Sequence, residues 1–148
     1  MSTMTQTATQ IYQVFIKASP EAIWEAITKP EFTAQYFYGA RIENTESGHR
    51  SLGPEGQVWG DSPTYEYDPP RRLVHGWRSL YDPEMAAEEE SRVTWEIEPQ
   101  DGGFSKLTVI HDRLEAAPKT ALSVSGAGWM MVLSGLKTLL ETGEPLAG

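Results

Sequence analysis

The chain reads as an α+β protein: one strand, two short helices, about six further strands, and a long amphipathic helix that closes the order. Three observations carry this reading. The middle strands follow one another across turn residues with no helix between them, so they must pair antiparallel. Residues 121–142 repeat apolar side chains at helical spacing. A sheet left open on one side needs a cover, and this is the only long apolar stripe available to supply it. The expected architecture is a helix laid over a curved sheet, with a cavity between the two.

The first strand spans residues 12–18, where Tyr12, Val14, Ile16 and Ala18 share one face. Ser19-Pro20-Glu21 then starts a helix, with serine as N-cap, proline in the first turn and an acid at the positive end. Ala22, Ile23, Ala26 and Ile27 keep helical spacing until Lys29-Pro30-Glu31 breaks the helix and begins a second one, ending near Phe37-Tyr38-Gly39. Short strands are expected at 41–46, 57–60 and 64–67. The strand at 72–80 places Leu73, His75 and Trp77 on one face. In the next, at 91–98, Val93, Trp95 and Ile97 point inward, and Asp101-Gly102-Gly103 turns the chain into a partner at 105–112 carrying Leu107, Val109 and His111.

In the last helix, Leu122, Trp129, Leu133, Leu136 and Leu140 fall within one arc at about 100° per residue, and Val132 and Leu139 widen it. Met131 lies opposite, and Lys137 and Glu141 form an i, i+4 pair elsewhere. Gly143 sits where a left-handed C-cap is expected, while Gly126 and Gly128 weaken the helix by about 1 kcal/mol each. Glycine at those two positions points to close backbone approach or a bend over a cavity.

The 148 residues suit one domain at 11–148 behind a polar tail at 1–10. A net charge of −9 argues against nucleic-acid and anionic-membrane partners, which require concentrated Lys and Arg. The acidic run 84–90 reads as a solvated loop. There is no cysteine, hence no disulfide and no thiolate chemistry. The sequence shows no signal peptide and no apolar run long enough to span a bilayer, so a cytoplasmic protein is expected.

No phosphate-binding loop, no Gly-x-Ser-x-Gly elbow and no metal-ligand histidine spacing is present. No catalytic residue, metal site or cofactor is therefore assigned. His75 and His111 stand on strand faces with large apolar neighbours, where an imidazole serves either to orient a ligand or as a satisfied core residue. His49, in a Gly/Ser-rich segment, is expected at the surface. Trp77, Trp95 and Trp129, with Tyr36, are expected to face one interior, suited to an apolar, ring-bearing ligand or to plain core filling. With Leu133 and Leu136 of the helix stripe they complete the candidate ligand-binding set. Arg71 and Arg72 are expected to pair at the surface with Glu66 or Asp68.

Five segments, taken together, resemble a known family: Ile16-Lys17-Ala18-Ser19-Pro20-Glu21-Ala22-Ile23-Trp24, Tyr67-Asp68-Pro69-Pro70-Arg71-Arg72-Leu73-Val74, Val93-Thr94-Trp95-Glu96-Ile97, Leu107-Thr108-Val109-Ile110-His111-Asp112, and Gly128-Trp129 through Gly143. They are similar to the bacterial proteins related to the C-terminal domain of the activator of Hsp90 ATPase, within the START-like, Bet v 1-like superfamily. The resemblance implies a helix-grip fold, a curved seven-stranded antiparallel sheet wrapped around a long C-terminal helix with two short helices after strand 1. It also implies a cavity for a lipid, polyketide or aromatic molecule, and a link to stress response. Two alternatives stay open: an enzyme of the cyclase, dehydratase or hydrolase kind using His75 or His111, and a chaperone-cofactor module with exposed apolar residues such as Met131 and Phe15. A homodimer through such a face is a further alternative, whereas an Hsp90-type chaperone is not an expected partner because the eukaryotic activator carries an additional N-terminal domain. The segment 44–56 departs from the family pattern and is expected to be loop-like at the cavity mouth.

Overall fold

The computed structural model describes residues 8–125 and 127–146, so the expected tail falls largely outside the described residues, as does Gly126. Strand β1 (Gln10–Ile16) leads into α1 (Pro20–Thr28) and α2 (Pro30–Thr33). The hydroxyl of Ser19 caps α1 by accepting from the Ala22 amide at 3.1 Å, as the sequence implies. Three short strands follow: β2 (Arg41–Thr45), β3 (Gly48–Leu52) and β4 (Val58–Ser62). Next come β5 (Thr64–Asp68), β6 (Arg72–Trp77), the one-turn α3 (Pro83–Ala86), β7 (Ser91–Gln100) and β8 (Phe104–Asp112). The chain closes with α4 (Pro118–Val124) and α5 (Ala127–Thr142).

The fold is α+β with a curved antiparallel sheet and a C-terminal helix, but the strand count differs from seven. Among the described residues, eight strands form a five-stranded sheet in the order β1-β8-β7-β6-β5 and a three-stranded sheet in the order β2-β3-β4. The added strand is β3, inside the segment expected to be a loop. It alternates faithfully, with His49 and Ser51 buried and Arg50 exposed, but its inward residues are polar and leave no hydrophobic period. The two sheets meet at Pro63, which lies between β4 and β5 and accepts the Gly76 amide at 3.0 Å through its carbonyl. Proline has no N–H for a ladder, so one continuous strand breaks there and turns the corner.

The expected single helix at 121–142 is two. Ser125 is extended at φ −74, ψ 174, which ends α4, and α5 restarts two residues later. Apolar spacing runs through both helices, so periodicity alone cannot reveal the break. Gly128 marks it: an added Cβ there meets the Ser123 carbonyl oxygen at 3.0 Å. Leu122 consequently lies on α4 and is exposed rather than part of the buried stripe. On α5, Trp129, Val132, Leu133, Leu136 and Leu139 are buried against the sheet. Gly135 lets the helix settle onto Tyr36, whose Cβ lies 3.1 Å from where a side chain at 135 begins. Lys137 Nζ donates to the Phe15 carbonyl at 2.6 Å, and Glu141 accepts from the Lys17 amide at 2.8 Å, tying α5 to the end of edge strand β1. Gly143 ends the helix at φ +82, its amide bonded to Leu139 O.

The acidic run is more than a solvated loop. Glu88 accepts from the amides of Lys119 and Thr120 at 2.7 and 3.0 Å, supplying the carboxylate at the start of α4 that Ala117 cannot. Arg71 pairs with Asp68 at 2.5 Å and Arg72 with Glu66 at 3.1 Å, as expected, and Arg72 also bonds Glu96 across the strands. No described helix is long and apolar enough to cross a membrane.

Candidate ligand cavity

Strand register sets the interior. His75 on β6 pairs with Val93 on β7, which pairs with His111 on β8, so the two histidines flank one valine in a row across the sheet. The neighbouring row joins Leu73, Trp95 and Val109. His49 reaches the same row from β3, lying flat on His75 with ring centroids 4.0 Å apart and 3° between planes.

Every ring nitrogen of His75 and His111 is engaged. Trp95 Nε1–H donates to His75 Nε2 at 3.0 Å, so the proton of His75 sits on Nδ1 and goes to the Gly76 carbonyl at 2.8 Å. Trp129 Nε1–H donates to His111 Nδ1 at 3.1 Å; His111 Nε2–H then donates to Ser91 Oγ at 2.8 Å, and that hydroxyl to the Trp77 carbonyl at 3.1 Å. Both imidazoles are therefore neutral, in opposite tautomers. Burial pushes His75 down to about 4, partly offset by its bond to Gly76. Burial, with the nearby His75, pushes His111 down to about 3. A general base needs a free lone pair at its substrate, and neither histidine has one. The acid–base role considered for these two residues has no geometry to support it.

His49 is different. Asn44 Nδ2 donates to the Ile27 carbonyl at 2.7 Å, which aims Asn44 Oδ1 at His49 Nδ1, 2.7 Å away. The His49 proton is thus on Nδ1, and Nε2 carries a lone pair with no partner among the described residues. Burial and the neighbouring His75 hold His49 well below its ordinary value. The residue is 4% exposed, which overturns its expected surface position.

Beside His49 opens a cavity of about 390 Å³ between the three-stranded sheet, the end of β6 and the α4–α5 junction. Phe37, Trp59, Trp77 and Trp129 form its aromatic walls, and Tyr81 stacks edge-on to Trp59 at 5.8 Å. Val124, Gly128 and Val132 supply the helical side, so the helix break lies at the opening. Tyr38 is exposed and holds φ +55, a left-handed conformation that disfavours side chains by roughly 1 kcal/mol. Its hydroxyl reaches across to the Gly128 carbonyl at 3.3 Å. Among the described residues, two buried polar atoms on residues that line this cavity, Trp77 Nε1 and Arg78 Nε, have no hydrogen-bond partner. Among the described residues, no group of three or more His, Cys, Asp or Glu is placed to hold a metal ion.

Residues 17–141 match the family described as Activator of Hsp90 ATPase homolog 1-like protein. The chain belongs to this family. No curated protein matches it. Among solved structures it is similar to protein MLL2253 from Mesorhizobium loti, with 21% identity over 90% of this chain and 96% of the other, at a TM-score of 0.72. PFC0360w from Plasmodium falciparum, an HSP90 activator, aligns with 18% identity over 93% of this chain and 98% of its own, at 0.72. DynU16, a putative protein in the dynemicin biosynthetic locus, aligns with 23% identity over 93% of this chain but only 48% of its own, at 0.70. At such identities the likeness is one of fold.

Within this Hsp90-activator-like domain, the eight residues singled out from the sequence divide in two. Trp77 and Trp129 line the cavity. Tyr36, His75, Trp95, His111, Leu133 and Leu136 are buried in the core around it and do not reach the opening. Tyr36 donates its hydroxyl to the Ala26 carbonyl at 2.6 Å, and burial raises its pKa. The residues that sequence reasoning passed over are His49, Trp59 and the 78–81 segment. For His49 the available signal was polar alternation at 49 and 51 between two glycines; for Ser79 and Tyr81 there was none.

Proposed function

We propose that this protein binds a small apolar, ring-bearing molecule in the cavity between the three-stranded sheet and α5, acting as a binding protein in the cytoplasm. The cavity itself carries the reading: about 390 Å³ of space walled by four large aromatic rings. That size and lining suit a small-molecule pocket, in which burial of apolar ligand surface contributes roughly 25 cal/mol per Å². The place of DynU16 in a biosynthetic locus supports a small organic ligand over a macromolecular one. Titration with naphthalene, followed by tryptophan fluorescence, tests the reading. Saturable binding by the wild type, abolished when Val124→Trp fills the opening, is expected; equal binding by both proteins places the probe elsewhere and ends the proposal.

A second reading, stimulation of a chaperone ATPase, draws on the HSP90 activator neighbour and on the exposed side chains Met130, Met131 and Leu122 beside the helix break. In an ATPase assay, this reading expects Val124→Trp to be neutral and Met131→Glu to lose activity.

A further inference from the structure

We propose that Gly60 opens a polar subsite in the cavity, where an N–H or O–H donor on the ligand meets His49 Nε2 and the Arg78 carbonyl oxygen. This deepens the ligand-binding reading and rests on it. Glycine inside a strand weakens the strand, and it marks places where a ligand or another backbone comes close. At Gly53, Gly76, Gly128 and Gly135 the reason lies in the protein itself, since an added Cβ meets a neighbouring atom at 2.5, 2.4, 3.0 and 3.1 Å. Gly39, Gly56, Gly102, Gly103 and Gly143 hold positive φ. Gly60 has neither reason. It pairs with Ser51 across β3 and β4, and the place where its side chain would begin is open. The nearest atoms to that place are Ser51 Cβ at 3.5 Å, the Arg78 carbonyl oxygen at 3.6 Å and His49 Nε2 at 3.8 Å. All four residues line the cavity.

Two acceptors therefore border one point. The Asn44 relay puts the His49 proton on Nδ1, so Nε2 accepts, whatever occupies the cavity. A carbonyl oxygen only accepts. A ligand nitrogen or oxygen centred at that point needs a shift of under about 1 Å to come within hydrogen-bond distance of either. The Ser51 hydroxyl, which both gives and takes, belongs to the third neighbour. The rings of Phe37, Trp59, Trp77 and Trp129 make up the apolar walls. The complement of this lining is an aromatic ring carrying a donor at one end, an aromatic alcohol or amine. An ether or ketone of the same shape sets its lone pairs against two others, and a carboxylate does the same with a full charge.

The test uses the full chain at pH 7 and four probes of one ring size: 2-naphthol, 2-methoxynaphthalene, naphthalene and 2-naphthoate. The wild type is expected to bind the naphthol about 10-fold or more tightly than its methyl ether. Gly60→Ala suits both the backbone and the contacts around it, so its urea midpoint is expected at or above that of the wild type. Its methyl group occupies the subsite, so naphthol and ether are expected within about 2-fold of each other, with naphthalene affinity retained. A lower urea midpoint for Gly60→Ala overturns the subsite in favour of close packing at position 60. An unchanged preference for naphthol in that variant overturns it by placing the donor elsewhere. Equal wild-type affinity for naphthol and its ether overturns it and leaves the cavity reading intact, provided naphthalene binds. Tightest binding of 2-naphthoate overturns it in favour of the Arg78 guanidinium. Absence of binding by all four overturns both readings.

Discussion

Two parts of the interior use the same pair of residue types to opposite ends. Under the N-terminal half of α5, indole N–H groups meet imidazole lone pairs, and the Trp95–His75 and Trp129–His111 pairs close on themselves. A few ångströms away, His49 and Trp77 lie side by side with one lone pair and one N–H unmatched among the described residues. A satisfied buried pair rigidifies a core, and an unsatisfied one lowers stability until something binds it. The difference teaches that histidines and tryptophans are not markers of a site by identity or burial; what matters is whether their polar atoms are already accounted for.

The largest expected effect is acid sensitivity of the closed side, to which buried His49 adds in the same direction. His75 and His111 have folded pKa values near 4 and 3, below the unfolded value, so the unfolded chain takes up their protons first. Their contribution is fully present above about pH 6.5 and lost as pH falls toward the folded values. Each histidine contributes a slope of about 1.4 kcal/mol per pH unit, or about 5 kcal/mol for the two between pH 6.5 and 4.5. Urea melts across that range check this, and a flat profile contradicts the neutral, locked imidazoles.

Next is Trp129→Ala, which removes a ring packed among Phe37, Trp77 and Trp95 and strands His111 Nδ1. A loss of about 3–5 kcal/mol is expected by chemical denaturation. Trp95→Phe keeps most of the volume but leaves His75 Nε2 bare, for about 1–3 kcal/mol in the same assay. The smallest expected effect is Trp77→Phe, within about 1 kcal/mol of wild type, since the lost N–H has no partner among the described residues. A cost for Trp77→Phe as large as that for Trp95→Phe erases the distinction between the two regions.

The contrast also explains what was legible in the sequence. Alternation and turn chemistry located seven strands, the Ser19 cap and the Gly143 stop, because apolar faces and caps are local patterns. They also placed His75, His111 and Trp95 correctly on inward faces. Which lone pair each histidine had left is a matter of cross-strand register and of Asn44 reaching Ile27, and neither leaves a trace in composition. β3 was missed for the same reason that it matters: its inward residues, His49 and Ser51, are polar because they face a cavity and a hydrogen-bond network rather than a dry core. The helix break was hidden by an apolar period running through it, with only Gly128 to signal the close approach to Ser123.

The most direct test is the set of five indole N–H resonances in a nitrogen–proton correlation spectrum, with their rates of exchange with solvent. The Trp95 and Trp129 resonances, bonded to imidazoles, are expected downfield and slow to exchange with solvent, and the Trp77 resonance upfield of both. A Trp77 resonance as far downfield as those of Trp95 and Trp129 contradicts the assignment of one closed and one open His–Trp region.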